Sequence, residues 1–378
     1  MKSCFGARWK NRILCGLEPT LLNRFGWLSD RSDLDRPVAR WAQRWVQPFL
    51  YSLKLELDTR CTLRCRMCYV ERSGAALDLG LLTELFEQLR GTRVRIELLG
   101  GEPLLRPDLV EIVARAKRVA GAPFVSLYTN GVLVEPDLAR GLRDAGLDAA
   151  LVTLVSERPA VHDAFCGMDG AFRRTERGIR LLKETGIEVY TFTAVHRENY
   201  REYRDLDRFV REELGVRATF FQYVPRTAED PLVIDRQDWS GIKHWVLAEQ
   251  NPEHMHRVRH FCLLTGNACS GGNFVLTVKA DGSVQPCPFV ADLPLGNLQQ
   301  RDIWSIYTAR VHHPGWQEFK CLPVECEPCG YRNVCGGGCR AASRRLFGSY
   351  ARRDHQCLGP YPGPVDKRRL TDFVPTFF

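Results

Sequence analysis

From about residue 51 onward the chain alternates two textures. Short apolar runs rich in β-branched and aromatic residues are "LKLEL" (53–57), "VRIELLG" (94–100), "FVSLYTN" (124–130), "AALVTLV" (149–155), "IEVYTFTAV" (187–195) and "RATFFQYV" (217–224). Between them lie amphipathic stretches such as "LGLLTELFEQL" (79–89), "PDLVEIVARAKRV" (107–119) and "AFRRTERGIRLLKET" (171–185). Strand and helix patterns in alternation predict parallel βα units. Six units over residues 51–235 fit an α/β fold, a partial (β/α)6 TIM-like barrel, better than a complete eight-unit barrel. A doubly wound open sheet is the alternative. No G-x-G-x-x-G follows the first strand, so a dinucleotide-binding fold has little support.

Past residue 235 the pattern changes. Residues 236–260 predict a helical bridge. Gly, Pro and Cys then rise, and "FVLTVKADGSVQPCPF" (274–289) predicts a hairpin turning at Asp281-Gly282. A small core held by metal sites is expected over 261–360. The first 50 residues, rich in Trp and Arg, predict a helical extension. The tail 361–378 is expected to pack back on the body.

Composition narrows the class. A 378-residue chain with 44% hydrophobic residues can build two modest domains, which excludes global disorder. No apolar run is long enough to cross a bilayer, so no membrane partner is expected. Charges interrupt the N-terminus every few residues, unlike a secretory signal, and a cytoplasmic protein is expected. The net charge of +8 comes from Arg and Lys interleaved with Asp and Glu along the helices. That pattern describes solvated helix faces, not a nucleic-acid surface.

The fifteen cysteines change the picture most. In a reducing compartment they predict metal ligands or catalysts before disulfides. Three stand in "CTLRCRMCY" as Cys61, Cys65 and Cys68, spaced C-x3-C-x2-C. Three thiolates can hold three irons of a cubane cluster and leave the fourth iron open. An open position marks a catalytic metal site. Following the first strand, the motif falls at the C-terminal face of a barrel, where active sites gather.

This motif, followed by the aromatic Tyr69, resembles that of the radical S-adenosylmethionine (SAM) enzymes. The resemblance implies that SAM chelates the open iron and is cleaved to a 5′-deoxyadenosyl radical that abstracts hydrogen. By position Tyr69 would contact the adenine. The second strand ends in "LLGGEPLL", and Gly100, Gly101, Glu102 and Pro103 resemble the family's methionine-binding motif. Free backbone groups there would grip the methionyl amine. "YTNGVL" resembles the family at the end of the third strand and adds Thr129 and Asn130 to the SAM site. "TLVSERPAVHDAFCG" resembles the segment after strand four, with Thr153 offering a hydroxyl. It departs from the family where Val155 replaces an Asp, and where Cys166 stands for a basic residue or Thr. His162 and Asp163 are expected in a structural turn, and Asn199 as a cap.

The later cysteines follow Cys269-x12-Gly282-x4-Cys287, then Cys326-x2-Cys329-x5-Cys335-x3-Cys339, then Cys357. This is similar to the SPASM domain of peptide-modifying radical SAM enzymes, which carries two auxiliary clusters. The resemblance assigns Cys262, Cys269, Cys287 and Cys339 to one, with Cys321 competing for the place of Cys262. It assigns Cys326, Cys329, Cys335 and Cys357 to the other. Three 4Fe–4S clusters and SAM are therefore the implied cofactors. Two structural zinc sites are the bland alternative.

The expected function is a radical SAM oxidase that abstracts hydrogen from a peptide and forms a thioether, C–C or C–O crosslink. Its partners would be a ribosomal peptide and an electron donor such as flavodoxin or ferredoxin. With only 50 residues before the first strand, either a separate leader-binding protein or a substrate without a long leader is expected. Sulfatase maturases carry an Asp after the hairpin cysteine; Pro288 stands there and cannot accept a proton. The rivals are an epimerase using Cys166 or Cys321 as hydrogen donor, an amino-sugar-type dehydrogenase, and a non-enzymatic iron–sulfur or zinc scaffold.

Overall fold

The computed structural model describes residues 49–246 and 269–364. The expected N-terminal extension (to residue 48), most of the bridge beyond 246, Cys262 and the tail from 365 lie outside the described residues.

Strands and helices alternate as the patterning predicts. They are β1 (Ser52–Glu56), α1 (Leu79–Leu89), β2 (Arg95–Leu99), α2 (Leu109–Arg118), β3 (Val125–Thr129), α3 (Pro136–Asp144) and β4 (Ala149–Thr153). Two helices follow, α4 (Pro159–Cys166) and α5 (Ala171–Glu184), then β5 (Glu188–Val195), α6 (Tyr203–Glu212), β6 (Arg217–Gln222) and α7 (Arg236–Trp245). The six strands pair in parallel and in chain order, so the α/β partial-barrel expectation is borne out.

The sheet does not stop there. β7 (Val275–Val278) pairs in parallel with β1, Leu53 opposite Leu276. β8 (Ser283–Gln285) and β9 (Gly296–Asn297) continue it antiparallel. The predicted hairpin turns at Asp281-Gly282, where the Asp281 carboxylate accepts from Ser283 N–H at 2.9 Å. The hairpin was expected within a separate small core; instead it extends the barrel sheet to nine strands. Short helices then cover this end: α8 (Ile303–Ala309), α9 (Pro314–Lys320), α10 (Arg332–Cys335) and α11 (Arg340–Phe347).

Strand periodicity sorts the two faces. Leu53, Leu55, Ile96, Leu98, Val125 and Leu127 join the core under the helices, with Leu85, Phe86, Ile112 and Leu142. Burying each such side chain contributes about 1.5–3 kcal/mol. The intervening positions are polar: Lys54 and Glu56 on β1, Glu97 on β2 and Tyr128 on β3. Lys54, Ser52 and Tyr128 all bond the Glu97 carboxylate, the last at 2.9 Å, and Lys279 pairs with Glu56. Among the described residues no helix is long and apolar enough to cross a membrane.

Candidate active site

The loop after β1 is set by its neighbours on both sides. Asp58 is fully buried and accepts the Arg60 N–H at 2.7 Å, which turns the chain towards Cys61. On one side Gly101 N–H donates to Asp58 O at 2.6 Å and Glu102 N–H to Arg60 O at 2.7 Å. A Cβ on Gly101 would lie 2.1 Å from Arg60 O, so only glycine permits this approach. On the other side Arg64 N–H donates to Cys166 O at 2.8 Å and Arg66 N–H to Phe165 O at 3.1 Å. The last carbonyls of α4, which lack partners within the helix, are thereby satisfied by the cysteine loop.

Within this clamp Cys61, Cys65 and Cys68 share one loop. A turn closes it, Cys68 N–H donating to Cys65 O at 3.1 Å. Burial pushes the Cys61 thiol up to about 11, with Glu102 and the other two cysteines adding to the rise. The neighbouring Cys166 thiol and then burial raise Cys65, and burial raises Cys68. Free thiols so held stay protonated at neutral pH; only a bound metal would turn them into thiolates.

Glu102 is fully buried. It accepts from Leu104 N–H at 3.0 Å, the Thr129 hydroxyl at 2.6 Å and Asn130 N–H at 2.8 Å. Burial raises it to about 6. It therefore staples the end of β2 to the end of β3. Asn130 points its amide at the cysteine loop, Nδ2 lying 3.7 Å from Cys61 Sγ and 3.2 Å from Thr62 Oγ1. Tyr69 is half-buried, its ring 4.6 Å from that of Phe289 in the hairpin. Pro103 is buried at the start of a short 3-10 turn, and Thr153 closes β4.

The later thiols fall into two groups. Cys287 and Cys339 are raised chiefly by burial, and Cys269 acts on both, as Cys287 does on Cys339. Cys326 and Cys335 are raised by burial and by Cys357; Cys329 acts on Cys326 and Cys357. Asp354 orders the crossover between groups, accepting Cys339 N–H at 2.7 Å. Gly338, with φ of +80°, leaves room for that carboxylate, whose Oδ2 a Cβ would meet at 2.6 Å. Arg340, also buried, ties Cys321 O at 2.9 Å to Tyr350 O at 3.1 Å. Cys321 itself is exposed, its Sγ directed at Leu322 O.

Residues 55–210 match the radical SAM superfamily, and residues 269–335 match the SPASM iron–sulfur cluster-binding domain. The chain is 30% identical over 336 residues to the PqqA peptide cyclase of Gluconobacter oxydans, covering 84% of this chain and 93% of that protein. It belongs to the radical SAM superfamily. It is also 25% identical over 335 residues to the AdoMet-dependent heme synthase of Nitratidesulfovibrio vulgaris, covering 80% and 90% of the two chains. In fold it resembles Streptococcus suis SuiB, with a TM-score of 0.67 at 16% identity over 82% of this chain and 78% of that one. A structure of anSMEcpe with bound AdoMet and a peptide gives a TM-score of 0.66 at 19% identity, over 85% and 95%.

A radical SAM enzyme uses a 4Fe–4S cluster and SAM, and the residues present suit that pair. All twelve described cysteines are free thiols. Asn130 supplies the kind of N–H donor that cluster sulfurs accept. One expectation is corrected. The expected grip on the methionyl amine narrows to the backbone carbonyls of this turn, because the cysteine loop already takes the Gly101 and Glu102 N–H groups.

His162 and Asp163 sit in α4, where Asp163 accepts Gly170 N–H and Phe172 N–H, both at 2.7 Å. Asn199 is buried and caps its turn, accepting His196 N–H at 2.8 Å and donating to Val155 O and Ala194 O. Sequence reasoning missed the inward charges Lys54, Glu56, Glu97 and Lys279. The signal was available: two charges alternate with leucines inside "LKLEL", which an ordinary buried strand would not carry.

Proposed function

We propose that this enzyme is a peptide-modifying radical SAM oxidase in which Cys61, Cys65 and Cys68 hold the catalytic cluster. When SAM is bound there, the site supplies a 5′-deoxyadenosyl radical that takes one hydrogen atom from the substrate. Tyr69, Thr129, Asn130, Thr153 and the Gly100–Pro103 turn form the SAM side of the pocket. The loop clamp fixes the three thiols, and the hairpin aromatic Phe289 backs Tyr69. The inward Lys54–Glu97 and Lys279–Glu56 pairs make the barrel lining polar, which suits a peptide backbone.

Crosslinking removes two hydrogens from the peptide: one as an atom, the other as a proton with its electron. The observation that carries the reading is the pair of thiol groups beside the sheet. Cys269, Cys287 and Cys339, completed by Cys262, and Cys326, Cys329, Cys335 and Cys357 would hold two closed clusters that accept this electron. The three-cluster content, the external electron donor and a leader-binding partner belong to the same proposal. The similarity to a PqqA peptide cyclase supports it, as do the peptide-bound structures of anSMEcpe and SuiB. Of the two hydrogen-donor candidates of the epimerase rival, Cys166 is fully buried against His162, whereas Cys321 is exposed.

A heme synthase is the second reading, favoured by the relatives from N. vulgaris and Methanosarcina barkeri at 25% and 29% identity. One experiment separates them. The reconstituted enzyme is incubated with SAM, reductant and either candidate precursor peptides or an iron–coproporphyrin. A two-hydrogen mass loss in a peptide supports the proposal. Haem formation, with 5′-deoxyadenosine produced only when the porphyrin is present, overturns it.

A further inference from the structure

Two cations cover the loop that carries Cys269. Arg310, just past α8, is 2% exposed, and its Nε donates to Gly272 O at 2.7 Å. Its Nη1 bonds Tyr307 O, whereas Nη2 is buried with no hydrogen-bond partner. Lys320, the last residue of α9, donates from Nζ to Cys269 O at 3.2 Å. Both charged groups lie 5.3 Å from the centre of the Trp316 ring. That indole packs on Gly272, where a Cβ would meet it at 2.0 Å. A Cβ on the neighbouring Gly271 would stand 3.4 Å from both Cys269 Sγ and Cys287 Cβ, so this glycine brings the two cysteines together.

No carboxylate answers these charges. The hydrogen bonds of both side chains go to backbone carbonyls. The acids nearby in the fold are engaged elsewhere. Glu318 accepts the Ser349 hydroxyl at 3.1 Å and Tyr350 N–H at 3.2 Å, and Asp292 pairs with Arg344 at 2.6 Å. Asp354, on the Cys339 side, accepts Cys339 N–H and pairs with His355 at 3.1 Å. A cation taken out of water without a counter-charge is costly. Four thiolates around a cubane cluster outweigh the charge of its core and supply the missing anion. An anionic neighbour also favours the ammonium form of Lys320. A fixed positive charge favours the reduced state of such a centre, which carries one more negative charge, and so raises its potential. The same thiol group adjoins the catalytic loop. Phe289 N–H donates to Cys287 Sγ at 3.4 Å, and the Phe289 ring meets that of Tyr69, next to Cys68.

We infer that Arg310 and Lys320 raise the reduction potential of the auxiliary cluster held by Cys269, Cys287 and Cys339, and so poise it to accept the electron that crosslinking leaves behind. Both are positioning residues that act through the Cys269 loop. The inference rests on those cysteines holding a cluster, and its test separates the two.

The measurement is an EPR-monitored redox titration of the reconstituted full-length enzyme. The catalytic cluster is recognised by the change in its signal on adding SAM. Cys287→Ala tests the assignment alone: it should lose about four irons and one of the other two midpoints, which identifies the first auxiliary cluster. Full iron in Cys287→Ala would refute the assignment. Arg310→Gln and Lys320→Met remove the charges; Arg310→Lys and Lys320→Arg keep them. The expected result is a first auxiliary midpoint moved to more negative potential in each neutral variant. The shift should be about tenfold in the reduced-to-oxidised ratio, which is about 59 mV for one electron. The charge-keeping variants should stay near wild type, and the second auxiliary midpoint, the internal reference, should not move. Thermal melts and iron content show which variants are folded and loaded, and either neutral variant suffices. An unmoved first midpoint in a loaded neutral variant overturns the inference. So do charge-keeping variants that shift as far as the neutral ones, which would mark a packing effect. Loss of the four irons in both neutral variants also overturns it, because the cations would then serve assembly instead of potential.

Discussion

Gly101→Ala tests the clamp that positions the cysteine loop. The added Cβ would lie 2.1 Å from Arg60 O, 2.7 Å from Arg60 C and 2.8 Å from Thr59 O, all backbone atoms that no side-chain rotation can clear. Reaching an ordinary 3.4 Å contact from 2.1 Å needs about 1.3 Å of backbone movement, one residue before Cys61. Overpacking of this kind costs about 1–3 kcal/mol, and the two bonds to Asp58 O and Arg60 O add about 1 kcal/mol each if lost. A total on the order of 3 kcal/mol corresponds to a fall in Tm of roughly 4 °C for a chain of this size. The larger effect is on the cluster, because iron–thiolate bonds tolerate only a few tenths of an ångström. After anaerobic reconstitution the variant should carry about eight irons per chain against about twelve in the wild type, and should not cleave SAM. Gly241→Ala is the control, since nothing lies within 4 Å of a Cβ at that helical site. It should keep full iron and gain up to about 1 kcal/mol. A Gly101→Ala protein with wild-type iron and wild-type SAM cleavage would refute the clamp.

Other substitutions probe the remaining parts. Cys321→Ala should leave iron and sulfide unchanged, whereas Cys262→Ala and Cys339→Ala should each lose about four irons; the reverse result for Cys321 and Cys262 would exchange their roles. Lys54→Met removes the ion-pair partner of the half-buried Glu97 carboxylate and should cost on the order of 1–3 kcal/mol in denaturant melts, while the double change Lys54→Met with Glu97→Gln recovers much of it. Histidine burial gives a pH dependence. Burial lowers His196 to about 4, so the unfolded chain binds the proton first as pH falls below about 6.5. Stability from this residue is full above that pH and is lost towards pH 4, by on the order of 3 kcal/mol. Glu102, raised by burial to about 6, works in the opposite sense and gains stability as pH falls from 6 towards the unfolded value. Denaturation midpoints of wild type and His196→Gln between pH 7 and 5 should show the flatter profile in the variant; identical slopes would count against a buried neutral histidine.

Local signals made much of this enzyme legible before any coordinates. The βα alternation located the six parallel strands because each strand carries its own apolar run and each helix its own stripe. Cysteine spacing marked the three thiols of the first loop, since Cys61, Cys65 and Cys68 lie within eight residues that a single turn closes. What stayed hidden depends on distant pairing. The bond between Lys279 and Glu56 spans 223 residues, and nothing near either residue announces it. The parallel match of β7 with β1 is hidden for the same reason. The "GGEP" turn was legible as a site but misread in part. Its N–H groups serve the adjacent loop, and Glu102 serves β3, which only the packed structure reveals. Cys166 looked like a loose substitution until α4 carried it to Cys65.

The pairing of β1 with β7 also sets a schedule for biosynthesis. β1 emerges early from the ribosome and finds β2 about 40 residues later, but its other edge waits for β7. At about 5–20 residues per second, that edge stays open for roughly 10–45 s in each round of translation. An unpaired apolar strand edge recruits other chains during that interval. Soluble yield in a foreign host should therefore improve with chaperones that shield nascent chains. Deletion of everything after residue 268 should give aggregates instead of a free-standing catalytic barrel.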